Sequence, residues 1–83
     1  MSGAKLDSFL DYWENEGEAL ARHGDYDWMA ALTPGRRVLE IGCGPGFSTL
    51  AVVERGLQVQ VVDAQPACLP LARHRVGTLQ LAV

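Results

Sequence analysis

Cysteine is scarce, with Cys43 and Cys68 the only two in 83 residues. They form no CxxC pair and stand at no metal-ligand spacing from His23 or His74, so neither a disulfide framework nor a metal site is expected. No apolar run approaches the ~20 residues that a membrane-spanning helix needs. The start, MSGAKLDSFLDYW, has no apolar h-region, so no signal peptide is expected and the chain reads as cytoplasmic. Internal repeats and low-complexity tracts are absent. A strongly basic stripe is absent too. Residues 1–35 hold two basic and seven acidic side chains, a charge of −5; residues 36–83 hold five basic and three acidic, a charge of +2. Nucleic acid is therefore not indicated as a partner, and the acidic N-terminal segment reads as a solvated helix face. At 48% hydrophobic and 20% charged the chain is globular, with room for one small domain and a modest core.

What the sequence does have is concentrated between Arg37 and Asp63. Val38, Leu39 and Ile41 form a short, branched apolar run, as a buried parallel strand requires. Gly42, Gly44 and Gly46 follow at every second position. Glycines so close together bury no side chain; they permit positive φ and close approach to the backbone. Phe47 to Arg55 has helical spacing and Gly56 stops it. Leu57 to Val62 is extended again, and Asp63 follows the second strand.

Upstream, Leu6, Phe9, Leu10, Trp13 and Leu20 mark one face of a helix that ends at Arg22, His23 and Gly24, with Gly17 an irregularity inside it. Asp25 is the expected cap of a second short helix, Tyr26 to Leu32. Thr33-Pro34-Gly35 is a turn. Downstream, Gln65-Pro66 opens a further helix, in which Pro70 should distort or shorten the first turns. Arg73, His74 and Arg75 suit its C-terminal dipole, Gly77 ends it, and Thr78 to Val83 reads as a third strand. The order helix, helix, strand, helix, strand, helix, strand implies an α/β fold with parallel pairing, the first half of a doubly wound sheet. Residues 1–35 form an N-terminal helical segment and residues 36–83 the sheet-bearing part.

A strand–glycine turn–helix unit puts backbone N–H groups at the carboxyl edge of a parallel sheet, where open α/β sheets bind ligands. An acidic residue about twenty positions on can accept hydrogen bonds from both hydroxyls of a ribose, and Asp63 stands there. The pattern thus points to a nucleoside-containing cofactor. It departs from the dinucleotide fingerprint G-x-G-x-x-G/A, because the third glycine comes one residue early and Phe47 stands where Gly or Ala is wanted.

The string VLEIGCGPGFSTLAVVERG resembles motif I of the class I S-adenosylmethionine-dependent methyltransferases, and the resemblance extends over residues 30–77. It implies a Rossmann-like fold, S-adenosylmethionine as cofactor and methyl transfer as reaction. It further implies that Gly42, Cys43, Gly44 and Gly46 form the cofactor-binding turn. Glu40 would orient the methionine end, Asp63 would hold the ribose and Ala64 would line the adenine. Glu40 also has a purely structural reading, as a buried carboxylate satisfied by loop N–H groups, and Asp63 one as a helix cap. Cys43 is a small residue that the turn tolerates, not a nucleophile. Trp13 belongs to the apolar stripe of its helix, and Tyr12, lying off that stripe, is the better lid candidate. No general base is assigned, and no metal. The acceptor is expected to be a small molecule.

A complete domain of this family has about seven strands, so the chain reads as a truncated first half. Its first strand should be an exposed apolar edge and one sheet face bare, to be covered by a complementing chain or by oligomerisation. Two alternatives stay open: a non-catalytic protein of the same lineage, and a fragment of a nicotinamide- or flavin-dependent oxidoreductase, which Phe47 disfavours.

Overall fold

Gly24 turns left-handed (φ 87°) and so separates the two N-terminal helices, α1 (Gly3–His23) and α2 (Asp25–Leu32). The computed structural model describes residues 3–77 together with 81 and 82. Asp25 does not cap α2 as its position suggests. Gly24 holds the cap position, and the Asp25 carboxylate instead accepts from His23 Nδ1 (2.8 Å). Then follow β1 (Arg37–Ile41), α3 (Phe47–Glu54), β2 (Gln58–Val62), α4 (Cys68–Val76) and β3 (Leu81–Ala82). The sheet order is β1-β2-β3, with both pairings parallel. Of the expected third strand, 81 and 82 pair with Val59 and Gln60, while 78–80 and 83 lie outside the described residues. This is an α/β arrangement compatible with part of a Rossmann-like fold.

The register Val38↔Val59, Glu40↔Val61 puts these four side chains on one face of the sheet. That face is the inner one: Val59 and Val61 are buried with Ala51 and Val52 of α3 and Ala72 of α4, and Val38 packs against them. Ala30 of α2 belongs to the same core, so the second N-terminal helix shares it with the sheet. The other face is bare among the described residues, where Leu39 is 60% and Ile41 79% exposed, with Val62 half exposed beside them. The first strand is thus buried on one face only, a correction to the reading of Val38, Leu39 and Ile41 as one buried run.

Pro70 does not distort its helix. The segment 65–67 is a turn in which Gln65 O accepts from Cys68 N–H (3.0 Å), and the helix begins at Cys68. Pro70 therefore stands in the first turn, where an amide has no intrahelical partner and its absence costs nothing.

Gly17 and Gly46 are both close-approach points. A Cβ on Gly17 would lie 3.0 Å from Phe47 Cε2 and 3.2 Å from Cγ. One on Gly46 would lie 2.6 Å from the Ala72 backbone. Gly17 is the buried residue of α1, so the long helix meets the body of the fold where it has no side chain.

Candidate functional site: a cleft at the glycine-rich turn

The turn begins as an extension of the sheet: Gly42 N–H donates to Val62 O (2.7 Å), one step beyond the β1–β2 ladder. The chain then bends through Gly42 (φ 77°), Gly44 (φ 55°) and Gly46 (φ 96°) into α3. Nothing approaches the Cβ positions of Gly42 and Gly44, so their backbone is open to a ligand. Above this backbone lies a cleft of about 540 Å³, within the range usual for small-molecule sites.

Two carboxylates stand at its polar end. Glu40 lies on the inner face of the sheet, where a bare carboxylate would be costly. Ser48 Oγ donates to its Oε2 (2.6 Å) and Thr49 Oγ1 donates to its Oε1. The carboxylate is thus satisfied by the first turn of α3, through hydroxyls rather than the loop N–H groups considered from the sequence. Asp63 ties three pieces of chain together, with Oδ2 accepting from Gly44 N–H (2.8 Å) and Oδ1 from Gln65 N–H (2.8 Å). Each Asp63 oxygen keeps a further lone pair for another donor.

Cys43 lines the cleft but is buried, and its thiol donates to Gly44 O (3.4 Å). Burial, and after it the charges of Asp63 and Glu40, push that thiol up to about 12, so it stays protonated and inert at neutral pH. Burial also raises the Cys68 thiol, with Asp63 adding to the effect. The Tyr26 phenol, another lining group, is raised by burial first and then by Glu40, Asp25 and Glu16.

The opposite wall is apolar and comes from the N-terminal helices. Phe9, Trp13 and Gly17, four residues apart, make one ridge of α1 along the cleft, and Met29 of α2 joins it. Of the two lid candidates, Trp13 lines the cleft, 41% exposed. Tyr12 is outside it, 57% exposed, its ring edge-on to Trp13 at 5.1 Å. Gly46 is buried under α4 rather than in the cleft wall, and Ala64 is exposed just beyond Asp63. The lining includes Glu40 and Asp63 and, among the described residues, no Lys, Arg or His. Among the described residues, no group of His, Cys, Asp and Glu side chains is placed to hold a metal ion. No helix of the described residues is long and apolar enough to cross a membrane.

Sequence reasoning passed over several of these residues. Phe9 was legible as the residue one helical turn before Trp13, but helical spacing alone does not separate a ligand-facing stripe from a core-facing one. Ser48 and Thr49 stand just past the glycines and could have been matched to Glu40. Arg75 had no local signal. It reaches from the end of α4 to Pro45 O (2.9 Å from Nε), to Glu14 of α1, and over the Phe47 ring, 3.7 Å from its centroid.

Several curated proteins are similar to this chain. A ubiquinone biosynthesis O-methyltransferase of Xanthomonas campestris pv. campestris is 32% identical over 68 residues, which cover 75% of this chain and 28% of that protein. A protein of the same description from Alkalilimnicola ehrlichii is 32% identical over 88 aligned positions, covering 96% of this chain and 36% of the relative. A protein-L-isoaspartate O-methyltransferase of Methylorubrum populi is 38% identical over 53 residues, 64% of this chain and 25% of the relative. The chain thus spans between a quarter and somewhat over a third of the length of these relatives. No family model matches it.

Proposed function

We propose that this chain, a homologue of the class I S-adenosylmethionine-dependent methyltransferases, supplies the cofactor-binding part of a methyl-transfer site. One observation carries the reading. The cleft over the glycine turn is acidic, with Glu40 and Asp63 in its lining, and no described Lys, Arg or His lines it. S-adenosylmethionine carries a sulfonium and an ammonium, which such a lining favours, whereas a dinucleotide brings a diphosphate that wants cations or a free helix start. Here the Glu40 carboxylate already sits against the first turn of α3 through Ser48 and Thr49. This disfavours the oxidoreductase alternative on grounds independent of Phe47.

The residues present fit the cofactor. The open backbone at Gly42 and Gly44 allows close approach. The spare lone pairs of Asp63 can accept ribose hydroxyls while its present bonds fix the carboxylate. Glu40 is held by two hydroxyls and directs negative charge to the methionine end. We place Cys43, Gly46 and Ala64 with the turn and its flank, Gly46 by setting the approach of α4. When bound, the cofactor supplies a methyl group already activated on sulfur, so the chain's task is alignment and exclusion of water. Phe9, Trp13 and Met29 provide the apolar wall for that, and Trp13 rather than Tyr12 is the lid residue. The acceptor is proposed as a small molecule reaching the apolar end. The bare face of Leu39, Ile41 and Val62 is proposed as the seat of a complementing chain or second copy, which sedimentation would report as an assembly larger than a monomer.

Calorimetry on the whole 83-residue chain tests the reading. S-adenosylhomocysteine should bind and NAD should not. Asp63→Ala should weaken binding at least ~10-fold, the loss expected for hydrogen bonds to a charged group at ~1.5–3 kcal/mol. Binding of NAD alone would sink the proposal. A folded monomer that binds neither ligand would favour the non-catalytic alternative.

A further inference from the structure

We infer that Arg75 is a positioning residue that holds the aromatic ridge of α1 over the cleft. The hold on α1 owes little to deeply buried side chains. Its buried residue is Gly17, which contributes no side chain, and the ridge residues Trp13 and Phe9 lie one and two turns farther out, along the cleft. The angle at which α1 leaves the body therefore decides whether Trp13 faces the cleft. Arg75 fixes that angle from below. Its guanidinium donates to Glu14, the neighbour of Trp13 on the helix, and its Nε donates to Pro45 O in the glycine turn. The plane of the same group lies on the Phe47 ring, which on its other contact meets Gly17. One side chain thus ties α1 and the glycine turn, two of the pieces that line the cleft, to α4 beneath them.

The chemistry requires arginine. A planar guanidinium can stack on a ring and still donate along its edge in two directions, whereas an ammonium offers a point charge on a flexible stem. The Arg75 side chain is three-quarters buried, so its contacts are shielded better than those of the exposed Arg22–Glu18 pair.

The link to ligand binding rests on the methyltransferase reading; the link to α1 does not. The test separates them. In a Trp28→Phe background Trp13 is the sole tryptophan. Acrylamide quenching of Trp13, urea unfolding and S-adenosylhomocysteine calorimetry are then compared for the parent, Arg75→Met, Arg75→Lys and Glu14→Gln. Arg75→Met and Glu14→Gln should raise quenching of Trp13, with Arg75→Lys in between. Affinity should fall about 5-fold in Arg75→Met if the closed fraction falls to a fifth, since apparent Kd scales inversely with the competent fraction. Should Arg75→Met fail to fold, Glu14→Gln at the exposed end of the contact carries the test. Unchanged Trp13 quenching in the folded variants overturns the inference, as does unchanged affinity in variants whose parent binds. A parent that binds no S-adenosylhomocysteine defeats the functional reading, and the quenching result still decides whether Arg75 aims the helix.

Discussion

Replacing Gly17 by alanine should weaken a helix that the same substitution would ordinarily strengthen. In an exposed helix interior, glycine to alanine gains ~0.5–1 kcal/mol from backbone entropy. At Gly17 the new methyl would meet Phe47, 3.0 Å from Cε2 and 3.2 Å from Cγ, with Cδ2 nearer still. The ring has little freedom to withdraw, because the Arg75 guanidinium lies on it at 3.7 Å and Phe47 opens α3 directly after the left-handed Gly46. Overpacking of this kind costs ~1–3 kcal/mol, so the net change lies between about zero and a loss of ~2.5 kcal/mol. For a chain of this size that is a fall in Tm of ~4–8 °C per kcal/mol. Urea unfolding followed by circular dichroism should show a lower midpoint with an unchanged slope. The decisive control is a Phe47→Leu background, in which the ring is gone and Gly17→Ala should become neutral or stabilising. A raised midpoint in the parent, or an equal loss in both backgrounds, refutes the reasoning.

Four further outcomes are expected. Among the turn glycines, Gly46→Ala should be the most damaging, since its methyl would meet the Ala72 backbone at 2.6 Å. Gly44→Ala faces open space and should cost only its left-handed backbone, ~1–2 kcal/mol, so the two melting points rank the explanation. With its thiol pushed up to about 12 from 9.0, Cys43 should react with iodoacetamide at pH 8 some tens of times more slowly than an ordinary thiol, the ~1000-fold fall in thiolate being partly offset by the greater nucleophilicity of a more basic thiolate. Cys43, Cys68 and Tyr26 are all raised in the folded chain, so the stability they contribute is complete below their ordinary values and is lost as the pH rises above about 9; alkaline titration of the urea midpoint checks the direction. The Asp25 carboxylate holds the His23 imidazolium above 6.5, a contribution present below that value and lost as the pH rises through the raised one. In Asp25→Asn the His23 ring resonances should titrate at the ordinary pH, and an unmoved midpoint would discount the contact.

The strand–turn–helix–strand unit was legible because its signals are local: branched residues for β1 and β2, glycines at the bend, Gly56 at the stop. The helix errors share a cause, which is that a helix is judged from sequence by its own periodicity while its boundaries and aim are set by neighbours. Pro70 looked disruptive only because the helix was expected to open at Gln65-Pro66 rather than at Cys68. Asp25 was given a capping role that Gly24 takes, because His23 claims the carboxylate. Gly17 reads as a weakness in α1 by its own helix's periodicity, whereas the reason for it is Phe47 lying against it. Leu39 and Ile41 have the composition of a strand buried on both sides, and periodicity cannot say whether a second layer is present. The carboxylates of the site were legible by type and spacing; their present partners, Ser48, Thr49, Gly44 and Gln65, depend on how α3 and the turn close.

The uneven attachment of α1 bears on the order of folding. The bonds from Gly42 to Val62 and from Gly44 to Asp63 close short stretches of chain, so β1, α3 and β2 can assemble early from contacts close in sequence. The contact between Glu14 and Arg75 spans 61 positions and joins an already formed body to a helix with one buried residue. That helix is expected to dock last and to open first under native conditions, so its amides should exchange by local opening well before those of β2. A cleft whose floor formed early and whose roof docked late would have its entrance built into the folding pathway, and the free energy of that docking step would set how often it stands open.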